Sequence, residues 1–204
     1  MTTLCNSVIF KMHRSKLANT KTDKESDFEI VKRIVNYKEK NLYAIIYDRY
    51  ADLIYHRCYS FCDTDAEAKD LTQDIFIKAY LKLHTFTENV SFKSWLYTLA
   101  YRFCVNYINR NKAKRIEKLS ENIDNINELK IEISDENLYS MRVSGLEKAL
   151  NLITPEDRMI LLLKYRDDVA IKELAENLKI GESAVKMRLK RAKYRLVDMY
   201  KSNL

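Results

Sequence analysis

Ile171-Lys172-Glu173-Leu174-Ala175-Glu176-Asn177-Leu178, then Lys179-Ile180-Gly181-Glu182, then Ser183-Ala184-Val185-Lys186-Met187-Arg188-Leu189-Lys190-Arg191-Ala192-Lys193: this stretch reads as a short amphipathic helix, a tight break and a second helix whose outer face is almost wholly cationic. Apolar side chains recur at Ile171, Leu174, Ala175 and Leu178, and again at Val185, Leu189 and Ala192. Those two seams pack the helices into one body. Lys186, Met187, Arg188, Lys190 and Arg191 are left pointing outward or flanking the seam. That order is what a helix-turn-helix needs, and a cationic helix of this size fits the DNA major groove, where Arg and Lys pair with guanine edges and phosphates.

The rest of the composition agrees with a helical, DNA-facing chain. Among 204 residues there are two glycines and one proline. Hairpins and tight turns need more of both, so the fold class expected is all-α. The same scarcity excludes a phosphate-cradling glycine loop, and with it the nucleotide-binding enzymes that depend on one. A net charge of +7 suits a polyanionic partner. His56, Cys58 and Cys62 invite a zinc reading. No fourth ligand is apparent, however, and small thiols pack well in an apolar helix, so neither metal nor cofactor is expected. Residues 1–26 lack the continuous apolar run of a signal peptide, and no segment approaches the ~20 apolar residues of a membrane span. The expectation is a cytoplasmic protein with reduced thiols and no membrane insertion.

Working outward from the helix-turn-helix, residues 1–26 read as a loose polar tail. A helical pattern starts near Asp27, a second runs from about Asn41 to Phe61, and a third, opened by Asp63-Thr64-Asp65, runs from Ala66 to about Leu83. After a break at Thr85–Val90 a fourth spans about Ser91 to Asn111, with Phe92, Trp95, Leu96, Leu99, Ala100, Phe103 and Tyr107 as its core face. Acidic residues then dominate and apolar ones become sparse, so 116–136 is expected to be a flexible linker. Order should return near Asn137. Thr154-Pro155-Glu156-Asp157 is a strong helix start, with a capping hydroxyl, proline at the first position and acids in the first turn. Two domains follow, 27–115 and 137–204.

Two further constellations carry chemistry. In Ala66–Tyr80, Leu71, Ile75, Phe76 and Ala79 keep helical spacing, and Glu67, Asp70, Gln73 and Asp74 form a polar edge beside them. That edge is either an ordinary solvated face or a docking surface for a basic protein. In Phe86–Arg102, Tyr97, Tyr101 and Arg102 fall opposite the core face, where exposed aromatics beside cations would stack on unpaired bases. The short polar loop Thr87-Glu88-Asn89-Val90-Ser91 could hold a flipped base, and Lys112 and Arg115, in a basic run, could rest on phosphates.

These blocks, in this order, resemble a bacterial RNA polymerase sigma factor of the sigma-70 family, in its small two-domain extracytoplasmic function (ECF) group. Asp70-Leu71-Thr72-Gln73-Asp74-Ile75-Phe76 looks like the family's core-polymerase-binding helix, Phe92-Lys93-Ser94-Trp95-Leu96-Tyr97-Thr98-Leu99-Ala100 like its −10 region, and Ala184–Ala192 like its −35 helix. The resemblance implies that 27–115 binds polymerase and recognises and melts the −10 element, while 137–204 recognises the −35 element. Glu67, Asp70, Gln73 and Asp74 would face the β′ clamp. Thr87, Glu88, Asn89, Val90 and Ser91 would capture a −10 base, with Tyr97, Tyr101, Arg102, Lys112 and Arg115 nearby. Lys186, Met187, Arg188, Lys190 and Arg191 would approach the −35 element, with Ser183 on a phosphate. The partners implied are core RNA polymerase (β′ clamp and β flap), promoter DNA and an anti-sigma factor. The family's turn has Gly where Lys179 stands, so Lys179 would be left-handed at a strain of about 1 kcal/mol.

Energetics fits such a mechanism. The sequence carries no hydrolase or helicase machinery, so no enzymatic step is expected of this chain and any DNA opening must be driven by binding. Flipping a base costs a few kcal/mol and stacking it on an aromatic returns about 1–3 kcal/mol, so the polymerase must help. Promoter elements one and a half turns apart lie roughly 50–60 Å from each other, and some 20 extended residues reach about 70 Å. The competing reading is a helix-turn-helix regulator that binds an operator without acting as a polymerase subunit.

Overall fold

The structure, a computed structural model, describes residues 25–115 and 143–202. Among them are eight α-helices and no strand, so the architecture is all-α as expected. Residues 1–24 of the expected tail and the whole expected linker lie outside the described residues. The contacts divide the chain into two compact units, residues 1–100 and 101–204.

In the first unit, α1 spans Asp27–Asn36. The helix starts at Asp27, as the pattern predicts, and its cap is Ser26, whose hydroxyl accepts from the Glu29 amide at 3.3 Å. The Asp27 carboxylate is thereby free to accept from Arg49 at 2.7 Å and from Tyr50 at 2.5 Å, tying α1 to the next helix. A 3-10 turn, Lys40–Leu42, leads into α2, Tyr43–Tyr59. Helix α3, Asp65–Lys82, opens with a complete capping box: the Thr64 hydroxyl accepts from the Glu67 amide, and the Glu67 carboxylate accepts from the Thr64 amide, each at 3.2 Å. Helices α2 and α3 pack on each other through Ile46, Ile54, Cys58, Ile75, Phe76 and Ala79, all fully buried. Each of the isoleucines and Phe76 contributes about 1.5–3 kcal/mol of burial. The Tyr43 hydroxyl donates to the Phe76 carbonyl at 2.6 Å, so the one polar atom that this tyrosine carries into the core is satisfied. Burial pushes the Tyr43 phenol well above its ordinary pKa.

After a 3-10 turn, Leu83–Thr85, and a loop comes α4, Phe92–Arg115, which ends the first unit at Ala100 and continues from Tyr101 as part of the second. Its buried side is broader than the expected face. Leu96, Tyr97, Ala100, Tyr101 and Cys104 are at most 1% exposed, whereas Trp95, Leu99, Phe103 and Tyr107 are only half-buried. Tyrosines read as amphipathic in the sequence, and here burial wins.

In the second unit, α5 spans Val143–Leu152 and α6 spans Pro155–Leu161. The Thr154 hydroxyl accepts from the Asp157 amide at 3.2 Å and Pro155 takes the first helical position, the start read from the sequence. A π turn, Leu162–Arg166, then widens the helix: the Asp167 amide donates to Leu162, five residues back, at 3.0 Å. Helices α7, Ile171–Leu178, and α8, Glu182–Ser202, complete a helix-turn-helix. Leu163, Leu174, Val185 and Ala192 form its fully buried centre. Arg195 of α8 pairs with the buried Asp157 carboxylate at 2.5 Å, fixing the second half of α8 to the start of α6.

Candidate nucleic-acid interface and acidic edge

The cationic face is built by a turn that needs a left-handed residue. After α7 the chain reverses at Lys179, with φ 57° and ψ 46°. The Ile180 amide donates to Ala175 at 3.1 Å and the Lys179 amide to Glu176 at 3.2 Å, closing the helix end. Gly181 does not supply the positive φ. It stands just before α8, its carbonyl accepting the first helical hydrogen bond from Val185 at 3.1 Å. Lys179 thus does the work that the family assigns to glycine, as the resemblance implied.

With 3.6 residues per turn, Val185, Leu189, Ala192 and Leu196 define one buried line along α8, and Met187 points about 170° away from it. Ser183, Lys190 and Arg191 flank Met187 at about 130–150° from the buried line, while Lys186 and Arg188 stand out sideways at about 70–90°. Ser183, Lys186, Met187, Arg188 and Arg191 are exposed and Lys190 is half-exposed. The six residues therefore sort into a leading face (Ser183, Met187, Lys190, Arg191) and two cationic shoulders (Lys186, Arg188). That is the shape of a groove-entering helix with phosphate contacts on either side.

On α3, Asp70, Gln73 and Asp74 are exposed along one edge, as expected. Glu67 is half-buried and committed to the cap, where its carboxylate also accepts from the Asp63 amide at 3.2 Å. Further along the same helix, Leu81 is 58% exposed, an apolar end to the acidic edge that periodicity alone did not single out.

Around the loop before α4, Thr87, Glu88, Asn89 and Ser91 are exposed, but Val90 is buried and serves as the loop's inward anchor. Two expectations are corrected here. Tyr97 and Tyr101 are not exposed stacking platforms; they are 1% and 0% exposed. The Arg57 guanidinium of α2 lies 3.5 Å from the Tyr97 ring centroid, so that face of α4 is covered from within the body. Arg102 remains exposed and donates to the Asn177 carbonyl at 3.4 Å. Lys112 and Arg115 belong to the end of α4, and their side chains lie outside the described residues. The aromatic beside the loop is instead half-exposed Trp95, grouped with Phe86 and Phe92 at ring-centroid distances of 5.9 and 5.5 Å. Its half-burial goes with the packing of its ring against Phe86 and Phe92, which spacing along the chain does not report.

Of the zinc reading, His56 is exposed while Cys58 is fully buried, so they face opposite ways on α2. Burial pushes the Cys62 thiol up to about 12. Among the described residues no group of three or more His, Cys, Asp or Glu is placed to hold a metal ion, and no helix is long and apolar enough to cross a membrane.

Two family models match the chain in order: Sigma-70 region 2 over residues 46–114 and Sigma-70, region 4 over residues 145–196. The chain is 28% identical over 173 residues to the ECF RNA polymerase sigma factor SigW of Bacillus subtilis, covering 80% of this chain and 92% of that protein. It is 26% identical over 175 residues to the ECF RNA polymerase sigma factor BldN of Streptomyces coelicolor, covering 85% of this chain and 65% of that one. In fold it is similar to CnrH, solved in complex with the cytosolic domain of CnrY, with TM-score 0.60 and 16% identity over 88% of this chain and all of that one. It is likewise similar to the sigma factor RpoE of Bartonella quintana, solved with the anti-sigma factor NepR, with TM-score 0.52 and 19% identity over 76% of this chain and 94% of that one.

Proposed function

We propose a division of labour from one premise: the chain belongs to the sigma-70 family of RNA polymerase sigma factors, in its extracytoplasmic function (ECF) group. It binds core RNA polymerase and directs promoter-specific initiation. In this division, the acidic edge Asp70, Gln73 and Asp74 of α3 docks on the β′ clamp. The loop Thr87–Ser91 takes a base of the −10 element, with the half-exposed Trp95 indole as its neighbouring stacking surface. The leading face of α8 enters the major groove at the −35 element, while Lys186 and Arg188 neutralise phosphates. Residues 27–115 and 137–204 are the two working domains. The chain supplies binding and no bond-making step, works in the cytoplasm, and is held in check by an anti-sigma factor.

The observation that carries this reading is the pairing, in one chain, of an exposed acidic edge on α3 with an exposed cationic face on α8. The first suits a basic protein surface and the second suits DNA, and a factor that brings a polymerase to a promoter needs both. The test is in vitro transcription from a genomic library with core polymerase and the purified chain. Discrete promoter-directed transcripts are expected only when both are present. Tight, sequence-specific binding of the free chain to a palindromic operator, with no added initiation, would instead make it a stand-alone regulator.

A further inference from the structure

We propose that Met187 reads the 5-methyl group of a thymine in the −35 element, an inference that rests on the placement of α8 in the major groove. Met187 is 50% exposed and points almost directly away from the buried line of α8. It is the only large apolar side chain among the exposed residues of the first three turns of that helix. Ser183 and Arg191, one helical turn to either side, lie on the same face, and Lys186 and Arg188 form the shoulders. Those shoulders hold phosphates and fix the depth of insertion, so the residue between them reaches the groove floor. On that floor the thymine methyl is the one apolar group a base pair offers, and an unbranched thioether adapts its three torsions to meet it. A protein partner would find this thioether ringed by cations, which favours a polyanion over an apolar groove.

The experiment uses reconstituted holoenzyme and a promoter recovered from the library transcription. Each thymine of the −35 element is replaced singly by deoxyuridine, which removes the methyl and leaves every hydrogen-bonding group in place. With the native chain, one position should lose about fourfold in affinity, the worth of one buried methyl. Met187→Ala should bind the thymine promoter about as weakly as the native chain binds the uracil one, and should no longer distinguish the two. Met187→Leu, still apolar, should keep the discrimination. If the holoenzyme binds the element specifically and no thymine position responds, or if Met187→Ala still senses the methyl, the inference is overturned while the sigma-factor reading stands. If there is no element-specific binding at all, the placement of α8 falls with it. Thermal melting of both variants separates a folding defect from a lost contact.

Discussion

Lys179 shows how one residue can hold a motif open. Its left-handed backbone costs a non-glycine residue about 1 kcal/mol, and the closing hydrogen bonds from Lys179 and Ile180 sustain it. Lys179→Gly should raise the unfolding free energy by up to about 1 kcal/mol less the extra entropy of an unfolded glycine, read as a higher denaturant midpoint at unchanged m. Gly181 has open space where a Cβ would go and no positive φ, so Gly181→Ser should be stabilising by a few tenths of a kcal/mol in the same assay. The sequence exposed both sites, because the family frame assigns a turn position to each residue. Tyr97 was not legible in the same way: nothing within five residues along the chain reports that Arg57 will stack on its ring at 3.5 Å. Arg57 also donates to the Leu53 carbonyl at 2.5 Å. Arg57→Ala should therefore cost about 1–3 kcal/mol, and Arg57→Lys should restore only part of it, since an ammonium lacks the planar face, as thermal unfolding would show.

Among the elements, those with strong end signals were the ones placed best from the sequence. Thr154 starts α6 as its hydroxyl and following acids foretold, and α3 opens within the expected Asp63-Thr64-Asp65 turn, one residue before Ala66, with Thr64 as its cap. Helix α4 carries no such asymmetry, since it is apolar or aromatic on most of its circumference, and its buried side had to come from the tertiary packing. The start of α3 also has a pH signature. Asp65 is held below its ordinary carboxyl range, first by the Lys69 ammonium at 2.7 Å and then by the Tyr55 hydroxyl. Accepting that bond in turn pushes the Tyr55 phenol up to about 12. A carboxyl that titrates lower folded than unfolded stabilises above its unfolded value and loses that contribution as pH falls through the folded one. The phenol has the opposite sense: its contribution is whole below about pH 10 and is lost as pH rises through the folded value. Amide protection factors at the start of α3, with exchange corrected for its intrinsic pH dependence, should therefore fall below about pH 4, and Asp65→Asn should blunt that acid response.

For the whole molecule the two charged surfaces make separable failures. Asp70→Ala with Asp74→Ala should weaken co-purification with core polymerase and leave the fold intact, since both carboxylates are exposed. Arg191→Ala should lower transcription from −35-dependent promoters while polymerase binding holds. Arg188→Ala, on a shoulder, should weaken binding across sequences alike and reduce the salt slope of holoenzyme binding by about one. If polymerase binding and promoter use fall together in either Arg variant, that substitution is acting through the fold.

The tie between Arg195 and Asp157 bears on mechanics as well as on packing. A helix of 21 residues is a rod of about 32 Å. Its leading turns lie against the body through Val185 and Leu189 and present their other face as a probe, while its trailing turns are tied down by Arg195. Torque applied at the tip by a curving duplex would therefore travel into the α6 end as a rigid rotation instead of dissipating in a bend. Cutting that strut would leave the probe's chemistry untouched and blunt its aim.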